Sequence, residues 1–406
     1  MQRSGVAVIP TEVNSKIEYL VGNKDTVTKM QNACGVIPFA EETLSYLDSV
    51  SKALMKYPET KSYPDIITFA FWCRKANLLS MKRAYETDSD IRLGLGLSFH
   101  IAPSNVAVNF AYSAAVALLA GNACIVRVPS KEFPQIEIIC RAFSEEMGQS
   151  ARIVFVRYPR SKECNDFFSG ICDARIIWGG DQTIREMRKS PIKPRAREIT
   201  FADRYSIAVI GSEEYLKTDD HKRIAEDFYN DTYLSDQNAC TSPRFVIWLG
   251  NRTDEAKELF WKSLHDILKD RYEIQGVQAV DKLTKVYRLG AAFSGSILED
   301  DVDNLITRVN VTRLDPQMAD YYGNSGFFIE YDAERIEDIL PVCAEKLQTV
   351  SYLGIDPGVI QMLVEENNCK GIDRIVPMGH TMDFELKWDG YDLIRELSRC
   401  VKRSNR

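Results

Sequence analysis

From Arg92 onward the sequence alternates apolar runs of strand length with runs of helical length, and this alternation narrows the possible folds more than any other feature. Leu93 to Ile101 is an apolar, glycine-containing strand. Asn105 to Ala120 is an Ala-rich helix, and Gly121 stands where such a helix would stop. Ala123 to Val128 reads as a second strand, Pro134 to Met147 as a helix ended by Gly148, and Arg152 to Val156 and Ala174 to Trp178 as further strands. A short helix follows Gly179 and Gly180. Strands separated by helices pair with parallel neighbours through crossovers, so the pattern predicts an α/β fold with helices on both faces of a parallel sheet.

The alternation restarts near Tyr205. Helix Lys222 to Leu234, strand Arg244 to Trp248 and helix Asp254 to Leu268 are followed by strands Gly326 to Tyr331 and Thr349 to Leu353, which flank a helix from Ala333 to Lys346. Before Arg92, Glu41 to Leu54 and Asp65 to Leu79 space their apolar residues as helices do. The last segment is predicted to end in an amphipathic helix after Trp388-Asp389-Gly390.

Composition excludes several classes. With 45% apolar and 27% charged residues the chain has the balance of a globular protein, and 406 residues suffice for about two to three domains. The net charge is −7 and the basic residues are scattered, so no face offers the cations that nucleic-acid binding requires. No run reaches the roughly 20 apolar residues of a membrane span; Val106 to Ala120, broken by Asn109 and Ser113, reads as a buried helix. Met1 to Lys16 has no charged start followed by an apolar core, so no secretory leader is expected. Ten cysteines without a CxxC pair argue against the usual zinc and redox frameworks, and a reducing, cytoplasmic setting fits best. Cys73, Cys124 and Cys140 lie in apolar surroundings and read as core residues.

Four elements carry chemistry. Asp236-Gln237-Asn238-Ala239-Cys240-Thr241-Ser242-Pro243 sets a cysteine between helix and strand among small polar residues, where backbone amides can favour a thiolate and hold an oxyanion. Most lone cysteines merely pack. His100-Ile101-Ala102-Pro103-Ser104-Asn105 leaves a strand, and Asn105 either caps the next helix or turns its amide toward a ligand at the strand's C-terminal end. Arg127-Val128-Pro129-Ser130-Lys131 carries cations off another strand, suited to a ribose or phosphate and equally to a solvated loop. Gly179 and Gly180 let backbone approach a ligand closely, though a bare pair of glycines is common. Of the histidines, His221 and His265 read as solvated on helix surfaces and His100 as structural. For His380 a packing role is favoured over a cleft role, and no histidine has metal-ligand spacing.

In this order the four elements resemble the aldehyde dehydrogenase superfamily, and within it the acyl-CoA reductases of bacterial bioluminescence operons, the LuxC type. Phe71 to Asn77, Phe99 to Asn105, Asp236 to Pro243, Arg374 to His380 and Trp388 to Asp392 carry the likeness, which runs from about Pro64 to Arg395. The resemblance implies a Rossmann-like cofactor-binding domain over 86–204, with 373–406 returning to it. It also implies a catalytic α/β domain over 205–372, with the site in the cleft between the two α/β domains, while the spacing before Arg92 reads as a helical N-terminal region over 1–85. Cys240 would form the thioester, and Asn105 with the Cys240 N–H would hold the oxyanion. Arg127 would contact the adenosine ribose, Gly179 and Gly180 would line the cofactor site, and Asp320, where a glutamate is usual, would hold the nicotinamide ribose. The implied reaction is reduction of an acyl-CoA or acyl-protein donor to an aldehyde. The implied cofactor is NADPH, with NADH as the alternative, because Ser130 and Lys131 stand where NAD-specific relatives place a carboxylate. A homo-oligomer is expected, served by an acyl-protein synthetase or thioesterase subunit.

The sequence departs from aldehyde-oxidising members in one place. Where they carry a water-activating glutamate, this chain reads Glu198-Ile199-Thr200-Phe201, which aligns with Thr200 at that position and Glu198 two residues away. Without a general base an acyl-enzyme resists water and survives to meet a thiol or a hydride. Two rivals remain at this stage: an aldehyde-oxidising dehydrogenase, and an acyl-carrying subunit with little activity alone.

Overall fold

The computed structural model describes residues 6–85, 90–148, 152–299 and 303–402. The chain divides into two compact units, residues 1–202 with 384–406 and residues 203–383, each with its own large sheet.

The strands of the first unit are β1 (Glu18–Val21), β2 (Ile91–Gly94), β3 (Leu97–Ile101), β4 (Ala123–Arg127), β5 (Ile153–Arg157), β6 (Ala174–Trp178) and β7 (Arg197–Phe201). Six of them form one sheet in the order β1-β5-β4-β3-β6-β7, parallel except for β1 at the edge. Along β4, Cys124 and Val126 join one core with residues of the helices Glu41–Lys56, Asn109–Leu119 and Pro134–Glu145. Ala123 and Ile125 join a second core with residues of the helices Lys162–Ile171 and Asp181–Met187. A parallel strand covered on both faces must be apolar at every position, which is why this segment reads as a continuous run. Helix Asn109–Leu119 is buried at every residue after the first, as expected of the longest apolar run.

Three expectations give way here. The single strand read over Leu93 to Ile101 is two, because Gly96 turns the chain at φ +134°, and β2 pairs antiparallel with the strand Ser398–Val401. That strand replaces the amphipathic helix expected at the C-terminus, of which only Leu393–Glu396 is helical. Nor are the first 85 residues all helical, since β1 pairs with β5. Buried Asn122 fastens the bend: its Oδ1 accepts from the Leu95 and Gly96 amides at 2.7 and 3.1 Å, and its Nδ2 donates to Leu397 O at 2.9 Å.

The second unit holds β8 (Tyr205–Gly211), β9 (Pro243–Leu249), β10 (Ile297–Leu298), β11 (Thr307–Asn310), β12 (Phe327–Ala333), β13 (Leu347–Leu353) and β14 (Arg374–Pro377). Their order is β10-β11-β12-β9-β8-β13-β14, parallel except for β10. Phe245 and Ile247 face one core, Val246 and Trp248 the other. The helix expected over Ala333 to Lys346 is only a 3-10 stretch, Ile336–Val342, because Pro341 has no amide hydrogen to continue it. The helix Gly276–Ala292 was not foreseen.

Candidate active site

Cys240 lies in the loop between the 3-10 turn Tyr233–Ser235 and β9, at the N-terminal edge of the second unit's sheet. The loop is held by its own side chains. Gln237, buried and in the left-handed region at φ 55°, makes four hydrogen bonds. Its Nε2 donates to Pro243 O and Phe327 O, both at 2.9 Å, and its Oε1 accepts from the Gly326 and Phe327 amides, both at 3.1 Å. The amide therefore ties the loop to the first residues of β9 and β12 at once. Asp236 accepts from the Tyr272 hydroxyl, from Ser325 Oγ at 3.0 Å and from Gln278 Nε2 at 2.9 Å. Asn238 Oδ1 accepts from Asn324 Nδ2 at 2.7 Å. On the far side of the cysteine, Thr241 Oγ1 donates to Met382 Sδ at 3.2 Å, and the Cys240 carbonyl accepts from Ser206 Oγ at 2.8 Å. This network gives a physical reason for the Asp-Gln-Asn-x-Cys sequence: each polar residue before the thiol pins one side of the loop that carries it.

Two residues with no assigned role in the sequence reading belong to this site. Gln348, buried near the start of β13, donates from Nε2 to Cys240 Sγ at 3.4 Å. Arg244, half-buried in β9, donates to Ala319 O at 3.3 Å and lies over the Tyr322 ring at 3.3 Å. Burial pulls its guanidinium below the ordinary value, while negative charge on Tyr322, Cys240, Asp203 and Asp320 pulls it back up. Coulomb attraction is mutual, so Arg244 favours negative charge on the Cys240 sulfur. Asp320 itself is exposed in the turn Pro316–Tyr321, and its charge is among those that act on Arg244. The signal for Gln348 was a lone amide inside the apolar run Leu347 to Leu353; for Arg244 it was a cation directly after Ser242-Pro243.

The other candidates lie in the first unit, all on connections leaving the C-terminal ends of adjacent strands. Asn105 follows β3, Arg127 ends β4 with Ser130 and Lys131 just beyond, and Gly179 and Gly180 follow β6. Connections from β3 and β6 run to opposite sides of the sheet, so the crevice between them is a topological switch point, where open parallel sheets bind ligands. Asn105 does not cap a helix: the helix begins at Asn109 with Val108 at its cap, and Asn105 is exposed in the preceding loop. Arg127 donates from Nη2 to Tyr158 O at 3.2 Å and lies over the Tyr158 ring at 4.6 Å, while its buried Nε has no hydrogen-bond partner. Ser130 and Lys131 are exposed, with Lys131 over the Phe133 ring. A Cβ on Gly179 would lie 3.0 Å from Thr183 side-chain carbons, so packing within the turn already accounts for that glycine.

Glu198 is fully engaged. Arg175, itself buried, donates to Glu198 Oε2 from Nε at 2.9 Å and from Nη2, and Arg188 Nε donates to Oε1 at 2.8 Å. Burial works against the ionised carboxyl, but the hydrogen bonds and charges of Arg188 and Arg175 outweigh it and hold its pKa below the ordinary value. A carboxylate so held is a poor proton acceptor near neutrality. His100 is structural, as expected: its ring nitrogens meet Ser113 Oγ at 2.6 Å and Ser98 Oγ at 2.9 Å, and burial pushes its pKa down to about 3. Three of the four histidine readings change. His221 is half-buried with its ring against Tyr215, and His265 pairs with Asp303 at 2.8 Å. His380 is neither packed nor free; it is exposed and paired with Asp383 at 2.8 Å. Among the described residues no group of three or more His, Cys, Asp or Glu could hold a metal ion, and no helix is long and apolar enough to cross a membrane.

A protein-family model described as acyl-CoA reductase (LuxC) matches residues 38–284, more than half of the chain, a span that includes Asn105 and Cys240 and stops before Asp320. Comparison with curated proteins gives no match. Among solved structures the chain is similar to a NAD-dependent benzaldehyde dehydrogenase from Corynebacterium glutamicum, at 15% identity and TM-score 0.63 over 89% of this chain and 84% of that one. It is similar also to an aldehyde dehydrogenase from Bartonella henselae, at 13% identity and TM-score 0.64 over 89% and 86%. An oxidoreductase from Marinobacter aquaeolei matches at 11% identity and TM-score 0.65 over 93% and 90%. At such low identities the structural likeness establishes the fold alone, which is that of the aldehyde dehydrogenases.

Proposed function

The chain belongs to the acyl-CoA reductase (LuxC) family, and from that premise we propose that Cys240 takes the acyl group from an acyl thioester and carries it through reduction to an aldehyde. The observation that carries this reading is the loop itself. Gln237 fixes its backbone through four hydrogen bonds, and Gln348 and Arg244 attend the sulfur it presents. The Cys240 thiolate attacks the thioester carbonyl carbon, the oxyanion forms, and the donor thiol leaves as the carbonyl returns. Covalent capture divides one difficult step into two easier ones. Arg244 supports the thiolate before attack. Asn105 is the side chain we assign to the oxyanion, with the Cys240 amide as the second donor.

When bound, a nicotinamide cofactor supplies the hydride that turns the thioester into an aldehyde. The residues of the first unit fit such a group: the β3/β6 switch point is the binding crevice of an open parallel sheet, and beside it Arg127 keeps a buried Nε with no protein partner. Arg127, Ser130 and Lys131 would hold its adenosine ribose, and Ser130 in place of a carboxylate favours a 2′-phosphate, hence NADPH over NADH. Gly179 and Gly180 would line the same crevice, and Asp320 would hold the nicotinamide ribose.

Hydrolysis of the acyl-enzyme, the aldehyde-oxidising alternative, needs a free carboxylate base. Glu198, the carboxylate two residues before Thr200, is bound by two arginines, which favours reduction. The test is turnover of the purified chain with an acyl-CoA panel and NADPH. Aldehyde should appear in step with loss of reduced cofactor, and given aldehyde and oxidised cofactor the protein should turn over steadily only once CoA or another thiol is added. Fast production of free acid without a thiol would overturn the reading.

A further inference from the structure

Two thiols outside the acyl chemistry meet in the second unit. Cys343 directly follows the 3-10 stretch Ile336–Val342 and is only 6% exposed, while Cys369 follows the helix Pro357–Asn367 and is half-buried. Both are free, and Cys369 packs against the core that contains Cys343. The Cys343 and Cys369 thiols are close enough to act on one another's charge, and each sulfur donates to a backbone carbonyl, Ile339 O at 3.3 Å and Leu363 O at 3.8 Å. The two segments are locked side by side. Ile372 N donates to Leu347 O and Asp373 N to Gln348 O, both at 2.8 Å, and a Cβ on Gly371 would lie 2.1 Å from Ala344 O. Backbone, rather than two wandering side chains, keeps these sulfurs together.

We propose that Cys343 and Cys369 form a redox-active dithiol that a peroxide closes to a disulfide, with Cys369 oxidised first and Cys343 as the resolving thiol. In the first step the Cys369 sulfur attacks the peroxide O–O bond, giving a sulfenic acid and releasing water (or an alcohol from an alkyl peroxide). In the second, the Cys343 sulfur attacks the sulfenic sulfur, the S–S bond forms, and the sulfenic oxygen leaves as water. Two electrons pass from the pair of sulfurs to the peroxide, and both thiol protons end in the released water or alcohol. The order follows from access, since only Cys369 is open to solvent. Burial, with Cys369 adding to it, pushes Cys343 up to about 12, so the resolving step quickens as pH rises toward that value. Cys240 has no place in the pair, but the locked segments adjoin Gln348, whose amide holds its sulfur.

Treating the reduced full-length protein with hydrogen peroxide, alkylating the remaining thiols and mapping unreduced peptides by mass spectrometry tests this directly. The expected product is a peptide pair joined through Cys343 and Cys369 that dithiothreitol separates, formed faster at pH 9 than at pH 7. In Cys343→Ser the cross-link should vanish and dimedone should trap a sulfenic acid on Cys369, whereas in Cys369→Ser the buried Cys343 should stay reduced. The wild-type map needs no variant to fold. Oxidation of exposed Cys34 while both partners stay reduced, oxidation of Cys369 without cross-linking, or a disulfide from either thiol to another cysteine would overturn the proposal.

Discussion

Replacing Gln237 by alanine removes the clamp on the nucleophile loop, and the structure sets the size of the effect. Four hydrogen bonds are lost, two donated and two accepted, and all four backbone partners belong to Pro243, Gly326 and Phe327 beneath a buried side chain. At about 1 kcal/mol net per hydrogen bond the loss is about 4 kcal/mol. Water entering the vacated space recovers part of it, and any partner left dry costs more. For a unit of this size each kcal/mol lowers the melting temperature by roughly 2–4 °C, so a fall of roughly 8–16 °C is expected in the transition of the second unit. Stability alone would not single out this loop, so the second readout is the thiol. Well below its melting temperature, Gln237→Ala should acylate Cys240 more slowly than wild type in a single-turnover assay with acyl-CoA. Gln237→Glu should be no better, because a carboxylate oxygen would then face the Pro243 and Phe327 carbonyls. If Gln237→Ala melts within a degree or two of wild type and acylates at the wild-type rate, the clamp has no part in presenting Cys240.

The remaining predictions follow from single contacts. The kcat/KM with NADPH should exceed that with NADH, and Lys131→Glu should narrow or reverse the ratio; a clear NADH preference in the wild type would refute the reading of Ser130 and Lys131. Glu198→Gln leaves buried Arg175 without its anion and should cost about 3–5 kcal/mol in chemical denaturation near neutral pH, with no gain or loss of thiol-independent hydrolysis. Because the folded-state pKa of Glu198 is depressed, its contribution is present above the unfolded-state value and is lost as pH falls through the folded one, so wild type and variant should converge in acid. Asp231, fully buried and accepting from the Gly379 amide at 2.7 Å and the Thr381 amide at 2.9 Å, is pushed by burial up to about 6. Here the folded state holds the proton more tightly, so stability should fall as pH rises between about 4 and about 6, by up to about 3 kcal/mol. Asp231→Asn should lack that slope in denaturation series across this range, and an equal slope in both proteins would refute it.

The parts of this account legible in sequence are those that local chemistry dictates. Apolar runs covered on both faces announced the parallel sheets, and Gln237 and Cys240 stood out because polar residues crowd a turn between helix and strand. What stayed hidden depended on distant chain. Whether Leu93 to Ile101 is one strand or two turns on Gly96 and on Asn122, whose side chain reaches back to the bend. Asn105 looked like a helix cap because Asn favours caps, yet the helix waits until Asn109 and leaves Asn105 exposed in the preceding loop. Glu198 could be aligned near a catalytic position, but only the fold reveals Arg175 and Arg188 occupying both its oxygens. Gln348 lies 108 residues from Cys240 in sequence, and no spacing rule connects a strand amide to a thiol in another loop.

The central claim is that Cys240 carries the acyl group, and intact-protein mass spectrometry reads it without assuming the cofactor or the product. Mixed with a fatty acyl-CoA and no reductant, the wild-type chain should gain the mass of one acyl group, which hydroxylamine removes and added NADPH discharges as aldehyde. Cys240→Ala should stay unmodified under the same conditions. An acyl adduct that persists in Cys240→Ala, or that maps to another residue in the wild type, would contradict the account.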